Sequence, residues 1–442
     1  MPYQQVRGRK PFERASKIAH TQIINNPVVK DFIAGCTLPS PPAPAQIGEL
    51  VVPVSPGNGR ITTVIAVDGG YTEAVVRDDY PSASLAFMTM GPLLLKVADL
   101  DDLDRRPFIG PEDMERLKDI QRYSLAVPVR TVRLAGCTTF AQGVRKSVQD
   151  FLLHKDAELM KALDWLLHRS WRKPADQEHW VIPKCPNPHC DHVDVTFRVG
   201  DAYQQACTAC GQAIYLSDAL RLYERIDEEL GSGGVMSYLL TALEQLVLVH
   251  VIKTIWGLKR DLLREILFVK DGPLAFFGVT APLYRPMRDL MKFLGAGGDD
   301  PFLNLVGVEK SGPFVEHASA IEDSIPADHA LVPTNDYIYK YVVPGDPSLQ
   351  EFGKNTYYGA KVIFRGHLND TYVATIPTGD YTSVPTLDDM FHAGDVLSTT
   401  ARLRCSMYDN ALVPVVLANR LVSLADVPSS EILKKFAKEK LG

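Results

Sequence analysis

Two kinds of residue in this sequence have the type and spacing to do chemistry: aspartates delivered by apolar strands, and cysteines in close pairs. The β-branched run Ile61 to Val67 ends at Asp68-Gly69-Gly70, and Glu265 to Lys270 ends at Asp271-Gly272-Pro273. Taken singly, each reads as a tight turn, because Asp-Gly tolerates positive φ. Aspartates at the ends of central strands are also where a sheet presents oxygens to hard cations. Phosphodiester cleavage with two metals needs carboxylates that hold ions roughly 3.5–4 Å apart. Glu244 is the choice for a third carboxylate, since it sits in an apolar helix where an unpaired charge costs several kcal/mol. A metal would relieve that cost, and so would an ion pair with Lys253 or an arginine. Glu73 and the stretch Glu224 to Glu229 are further candidates. Lys310, in VGVEKSG after a strand, offers a point charge for a phosphate or for an attacking water, or is a surface loop lysine.

Four of the seven cysteines pair by spacing, as Cys185-x4-Cys190 and Cys207-x2-Cys210 with sixteen residues between the pairs. Two such knuckles supply the four thiolates of a tetrahedral Zn²⁺ site, with His189 or His192 as alternative ligands. The intervening residues alternate like a short hairpin, which is a zinc-ribbon layout. A closed four-sulfur shell has no open position for substrate, so this element is structural or a docking surface. Cys36, Cys137 and Cys405 stand alone and read as small apolar residues.

The elements that position these residues follow from hydrophobic pattern. Apolar residues make up 46% of the 442-residue chain and charged residues 23%, ordinary values for a folded globular protein. The net charge of −6 excludes a protein that coats nucleic acid by bulk electrostatics, leaving only local basic stretches: Arg7 to Lys10, His168 to Lys173 and Lys253 to Arg264. The polar N-terminus lacks an apolar signal region, so a cytoplasmic location is expected, without membrane association. Val235 to Trp256 approaches membrane-spanning length, but Glu244, Gln245, His250 and Lys253 interrupt it, and it reads as a buried core helix.

A helical arm and a proline-rich extended connector occupy 1–56, a core domain occupies 57–179 and 218–442, and the cysteine ribbon is inserted at 180–217. Strands are expected at 61–67, 83–97, 265–270, 303–308, 337–343 and 357–364. Helices are expected at 110–121, 141–168, 218–230, 235–256, 282–294 and 413–424. Such interleaving indicates an α/β domain with a mixed central sheet flanked by helices.

The order of these pieces resembles the NurA family of DNA-repair nucleases: strand-Asp-Gly, apolar helix with Glu, strand-DGPL at 271–274, GVEKSG at 307–312, then Pro-x-x-Leu-Ala. The resemblance implies a ribonuclease-H-like core and Mn²⁺ or Mg²⁺ dependence. It also implies cleavage of DNA, a homodimer, and partnership with the HerA hexameric ATPase translocase in DNA end processing or anti-phage defence. Asp68, Asp271 and Glu244 carry over as metal ligands, with Lys310 beside them. The family's first motif has serine where this chain has Gly70. Its C-terminal motif has Tyr-Pro and Ala-His where this chain has Val413-Pro414 and Ala418-Asn419. Asn419 is then a candidate ligand through its amide oxygen, and Tyr408 or His392 a spatial substitute for the histidine. The alternative is a non-catalytic adaptor of the same fold that bridges a translocase to DNA or to another protein.

Overall fold

The computed structural model describes residues 19–98, 122–172, 174–295, 302–405, 412–424 and 429–441. Tyr408, the expected helix at 110–121 and the basic run Arg7 to Lys10 lie outside these residues. The chain divides into two compact units, 1–43 and 44–442. In the first, α1 (Ala19–Asn25) and α2 (Pro27–Ala34) are separated by Asn26, whose Oδ1 accepts from the Val28 amide at 2.9 Å and caps α2.

The second unit is organised on one mixed sheet. Its strands are β1 (Val51–Pro53), β2 (Thr63–Val75), β3 (Ser84–Lys96), β4 (Tyr123–Arg130), β9 (Ile266–Asp271), β10 (Asn304–Glu309), β11 (His329–Leu331), β12 (Gly359–Arg365) and β13 (Thr371–Pro377). They lie in the order β1-β11-β12-β13-β10-β9-β2-β3-β4. β9 runs parallel to both β2 and β10, and every other pairing is antiparallel. Three successive strands therefore form a meander, after which the chain crosses over twice to add β9 and β10 in the same direction as β2. Parallel neighbours need crossover connections, and helices supply them.

Those helices are α4 (Phe140–Leu167) and α5 (Met236–Lys259) between β4 and β9, and α6 (Tyr284–Gly295) between β9 and β10. Strand alternation divides the sheet into two faces. Ile65, Val67, Met88, Met90 and Phe268 face α4, α5 and α6, while Val64, Ala66, Leu267, Val269, Val306 and Val308 form the opposite core. That second core is closed by α9 (Ala393–Arg402) and α10 (Val413–Val422), through Val396, Leu397, Val415 and Leu417. The remaining helices are α3 (Pro44–Gly48), α7 (Pro313–Ile321), α8 (Asn335–Tyr341) and α11 (Ser429–Leu441). The α5 region is the one described helix long and apolar enough to cross a membrane, and it is largely buried in the first core.

Three expectations differ from the structure. The segment expected as a strand at 337–343 is helix α8, because Thr334 caps it through the Tyr337 amide and Tyr337 and Ile338 then share a buried face. The charged stretch 218–230 is not one helix: short 3₁₀ turns end at Leu220 and Glu224, and a turn closed by the Asp227–Gly231 bridge follows. Asp218 is drawn inward by a buried two-pronged ion pair with Arg145 at 2.7 and 2.6 Å, and Asp227 folds back on the Glu229 and Leu230 amides. The proline-rich connector at 37–56 is not extended throughout. It contains α3 and β1, which pairs with β11 at the sheet edge.

Gly69 is a point of close approach. A Cβ built there would lie 2.9 Å from Leu240 Cδ1, 3.0 Å from Glu244 Oε1 and 3.1 Å from Met90 Cβ. A side chain would push α5 from the sheet, and overpacking of this kind costs about 1–3 kcal/mol. Gly69→Val is expected to lower urea-unfolding stability by that amount; a midpoint equal to wild type would refute the contact.

Candidate metal centre at the ends of the parallel strands

The parallel pairing of β2 with β9 stops at Val67↔Lys270, and that of β9 with β10 at Asp271↔Val308. One residue beyond the first stop is Asp68; the last residue of β9 is Asp271; just beyond β10 is Lys310. All three leave the same carboxyl end of the parallel strands, where open α/β sheets gather ligand-binding groups. Alternation places Asp68, Asp271 and Lys310 on the α10 face, in line with Ala66, Val269 and Val308.

Asp68 is not in a turn, as its glycine neighbours suggest, but within β2, opposite Gly91 of β3. Asp271 does enter a turn: Gly272 has φ +82° and donates to the Val308 carbonyl at 2.8 Å. Pairing on one side only leaves Asp68 held by β3 yet open toward β9.

The electrostatics are those of crowded acids. Asp68 is 2% exposed; its Oδ1 accepts from the Gly69 amide at 2.7 Å, and its buried Oδ2 makes no regular hydrogen bond. Burial, then the charge of Asp271, pushes its pKa up to about 6, against opposing help from the Gly69 amide, Lys310 and Asn419. Asn419, on α10, thus lies beside this carboxylate. Asp271 accepts from Lys310 Nζ at 2.9 Å.

Glu244 approaches from the other face of the sheet, on α5 beside Gly69. Only 7% exposed, it is raised to about 8 by burial, opposed by Lys270 and reinforced by Asp68 and Asp271. Its ion pair, at 3.6 Å, is with the buried Lys270 of β9 and not with Lys253. Lys270 also donates to the Asp271 carbonyl.

The donor set suits a hard divalent ion: carboxylate oxygens, one orphaned, whose mutual repulsion a cation would relieve. Asp68 and Asp271 share a face, with the Asn419 amide at its border. The three carboxylates are not gathered within the 4.8 Å that encloses the cysteine sulfurs. Here Lys270 and Lys310 supply the neutralising charge.

Other candidates are engaged elsewhere. Glu73 is exposed, five residues further along β2. Glu224 pairs with Arg221, and Glu228 accepts from the Phe140 and Ala141 amides, capping α4. His392 meets Asn304 at 2.6 Å at the amino end of β10, the opposite end from Lys310. It is therefore not a substitute for the missing histidine. Lys270 is the site residue that sequence reading missed, though its position before Asp271 on a buried strand was the available signal.

The cysteines form a second centre. Cys185 and Cys190 flank the turn between β5 (His179–Lys184) and β6 (Val193–Arg198). Cys207 and Cys210 flank that between β7 (Gln204–Ala206) and β8 (Ala213–Tyr215). The four sulfurs lie within 4.8 Å of one another, with Cys185–Cys210 and Cys190–Cys207 each 3.8 Å apart. A tetrahedral ion with metal–sulfur bonds of about 2.3 Å sets its sulfurs roughly 3.8 Å apart. His192 Nδ1 lies 3.2 Å from the Cys207 sulfur, and His189 is exposed. The Cys210 amide and His192 help push the Cys207 thiol down to about 6, as a metal-binding thiolate requires. The hairpins share the α4 core through Ile182, Val195, Phe197 and Ile214.

The structure thus defines a mixed α/β protein with an acidic cluster at the carboxyl ends of its parallel strands and a four-cysteine site packed on one flank. No family model matches the chain, and no curated protein matches it. Among solved structures it is similar to the NurA nuclease from Sulfolobus solfataricus, at TM-score 0.35 and 8% identity, over 96% of this chain and 95% of that one. It is also similar to a second NurA structure, at 0.30 and 10% over 96% of each chain. A third, NurA with manganese, gives 0.31 and 10% over 88% of this chain and 91% of that one.

Two outcomes are expected. The purified chain carries one zinc per molecule by elemental analysis, and Cys185→Ser or Cys207→Ser loses both the metal and thermal stability; a zinc-free, equally stable wild type would refute this. Because folding raises the Glu244 pKa from 4.5 to about 8, its contribution is intact below about 4.5 and is lost as pH rises to about 8. Without added divalent metal, wild type should therefore lose about 1.4 kcal/mol per pH unit relative to Glu244→Gln across that window. Parallel stability profiles would contradict it.

Proposed function

We propose that the chain is a metal-dependent deoxyribonuclease that hydrolyses phosphodiester bonds at the Asp68–Asp271 centre. The observation that carries this reading is the convergence of Asp68, Asp271 and Lys310 at one end of three parallel strands, with Glu244 and Asn419 contributed by helices on opposite faces. The meander continued by two parallel strands, with acids where the pairing changes, supports the ribonuclease-H-like reading of the core.

Asp68 and Asp271 would hold Mn²⁺ or Mg²⁺, and Glu244 would join them once Lys270 is displaced. A bound divalent ion supplies Lewis acidity and a water acidic enough to ionise near neutral pH. Lys310 orients the Asp271 carboxylate and presents a point charge to a phosphate oxygen. Asn419 orients Asp68 without carrying a titratable proton, so any proton transfer assigned to a histidine at that position passes to solvent. Burial keeps bulk water from screening Asp68 and Glu244, while Asp271 and Lys310 stay partly exposed.

The resemblance in motif order extends the proposal to a homodimer working with a HerA-type hexameric ATPase, in DNA end processing or anti-phage defence. It also makes the cysteine segment 180–217 a structural zinc ribbon within a nuclease domain beginning near residue 57. Asn419 favours a second reading, a non-catalytic adaptor that binds DNA or a translocase without cleavage.

Linear DNA with Mn²⁺ separates the two readings. Loss of outer-shell support at metal sites costs roughly 10–100-fold, so Asp68→Ala and Asp271→Ala should each reduce cleavage by about 100-fold or more. Equal degradation by wild type and both variants would sink the assignment; DNA binding without cleavage under any divalent ion would select the adaptor.

A further inference from the structure

A cleft of about 660 Å³ opens between the first cysteine-bearing hairpin and the body of the protein. Arg169, His179, Trp180, Arg221, Tyr284 and Arg285 line it, together with neutral residues, and no carboxylate is among its lining side chains. In a chain of net charge −6, this cleft is lined by three arginines, two of them paired with carboxylates outside the lining and Arg285 without an ion pair among the described residues. Arg169 is one of the cations in the basic stretch His168 to Lys173.

The arginines are arranged with aromatics. The Arg169 guanidinium lies 5.8 Å from the Trp180 ring centre, and that of Arg285 lies 5.8 Å from the Tyr284 ring. Arg169 is held in place by Asp289 at 2.9 Å, and Arg221 by Glu224. Arg285 is exposed and, among the described residues, donates to the Tyr284 hydroxyl alone, at 3.3 Å. Tyr284 is fixed by donating to Asn355 Oδ1 at 3.2 Å. Half-buried aromatic faces with guanidinium groups beside them are what single-stranded nucleic acid uses: bases stack on the rings and phosphates meet the cations.

The cleft is also tied to the acidic centre. The segment 272–283 leaves Asp271 and leads directly to Tyr284 and Arg285, and it is anchored where Gln245, next to Glu244, donates to the Ala275 carbonyl at 2.9 Å. Asp271 and Tyr284 are thirteen residues apart in sequence, so at most about 45 Å of extended chain separates them.

We propose that this cleft is a binding site for single-stranded DNA, with bases stacked on Trp180 and Tyr284 and phosphates held by Arg169, Arg221 and Arg285. The choice of DNA rests on the nuclease reading; the site itself rests on the cleft's own chemistry.

The test measures fluorescence anisotropy of a labelled oligothymidylate with the full, zinc-loaded chain and no added Mn²⁺ or Mg²⁺, where cleavage is suppressed and the result does not depend on it. Trp180→Ala and Tyr284→Ala should each weaken binding about 5- to 150-fold, and Trp180→Phe should retain most of it. Arg285→Ala, at an exposed position that folding does not need, should lower the slope of log affinity against log salt by about 0.7. Wild-type affinity in Tyr284→Ala together with an unchanged salt slope in Arg285→Ala overturns the proposal, as does wild-type binding by a Trp180→Ala chain that keeps its zinc. Intact binding with no cleavage under any divalent ion would instead remove the nuclease reading and leave this site standing.

Discussion

The cost of holding negative charge out of water at the ends of β2 and β9 shapes much of this protein. Asp68 and Glu244 are both buried and both raised in pKa, and Asp271 adds its charge to each. Nothing in apolar packing rewards that arrangement; an unsolvated carboxylate is among the most expensive groups to bury. The fold answers with Lys270 and Lys310, each beside one acid, and with the Gly69 amide on Asp68. An expensive cluster held together this way is where a functional site is expected on physical grounds.

That constraint explains local features that otherwise look arbitrary. Gly69 lacks a side chain because Glu244 and Leu240 occupy the space a Cβ would need. β2 runs on past Asp68 for seven more residues while β9 ends at Asp271, so beside the aspartate the ladder continues on the β3 side and stops on the β9 side. The two acids closest in type, Asp68 and Asp271, share a face with Lys310, whereas Glu244 reaches the cluster past the sheet from the α5 side. The sheet edge at Gly69 is thus the seam across which the two faces communicate electrostatically.

The cysteine site solves a different problem. Short strands such as β7 and β8 have little apolar surface of their own, and a metal held by four sulfurs fixes their turns. Ile182, Val195, Phe197 and Ile214 then join the α4 core, and the Arg145–Asp218 pair ties the exit of this segment to the same helix. The first strand of this hairpin, with His179, Trp180 and Val181, forms one side of the arginine-lined cleft.

The sequence by itself determined the elements whose signal is local. Apolar periodicity located α4 and α5, β-branched runs located β2 and β9, and cysteine spacing located two knuckles whose sulfurs do meet. Motif order singled out Asp68, Glu244, Asp271, Lys310 and Asn419, all of which lie at the same end of the sheet. Local signals misled where a partner distant in sequence decided the outcome. Asp68-Gly69-Gly70 continues a strand because β3 pairs along its whole length, and 218–230 is not a solvated helix because Arg145 pulls Asp218 inward. Only the tertiary structure decided the partner of Glu244. Lys270 looks like one more residue of a buried strand until register sets it on the α5 face, and Lys253, nine residues further along the same helix as Glu244, is not its partner. His392 was excluded in the same way, by lying at the amino end of β10. Charge pairing depends on which face and which strand end a side chain occupies, and neither is fixed until the sheet is assembled.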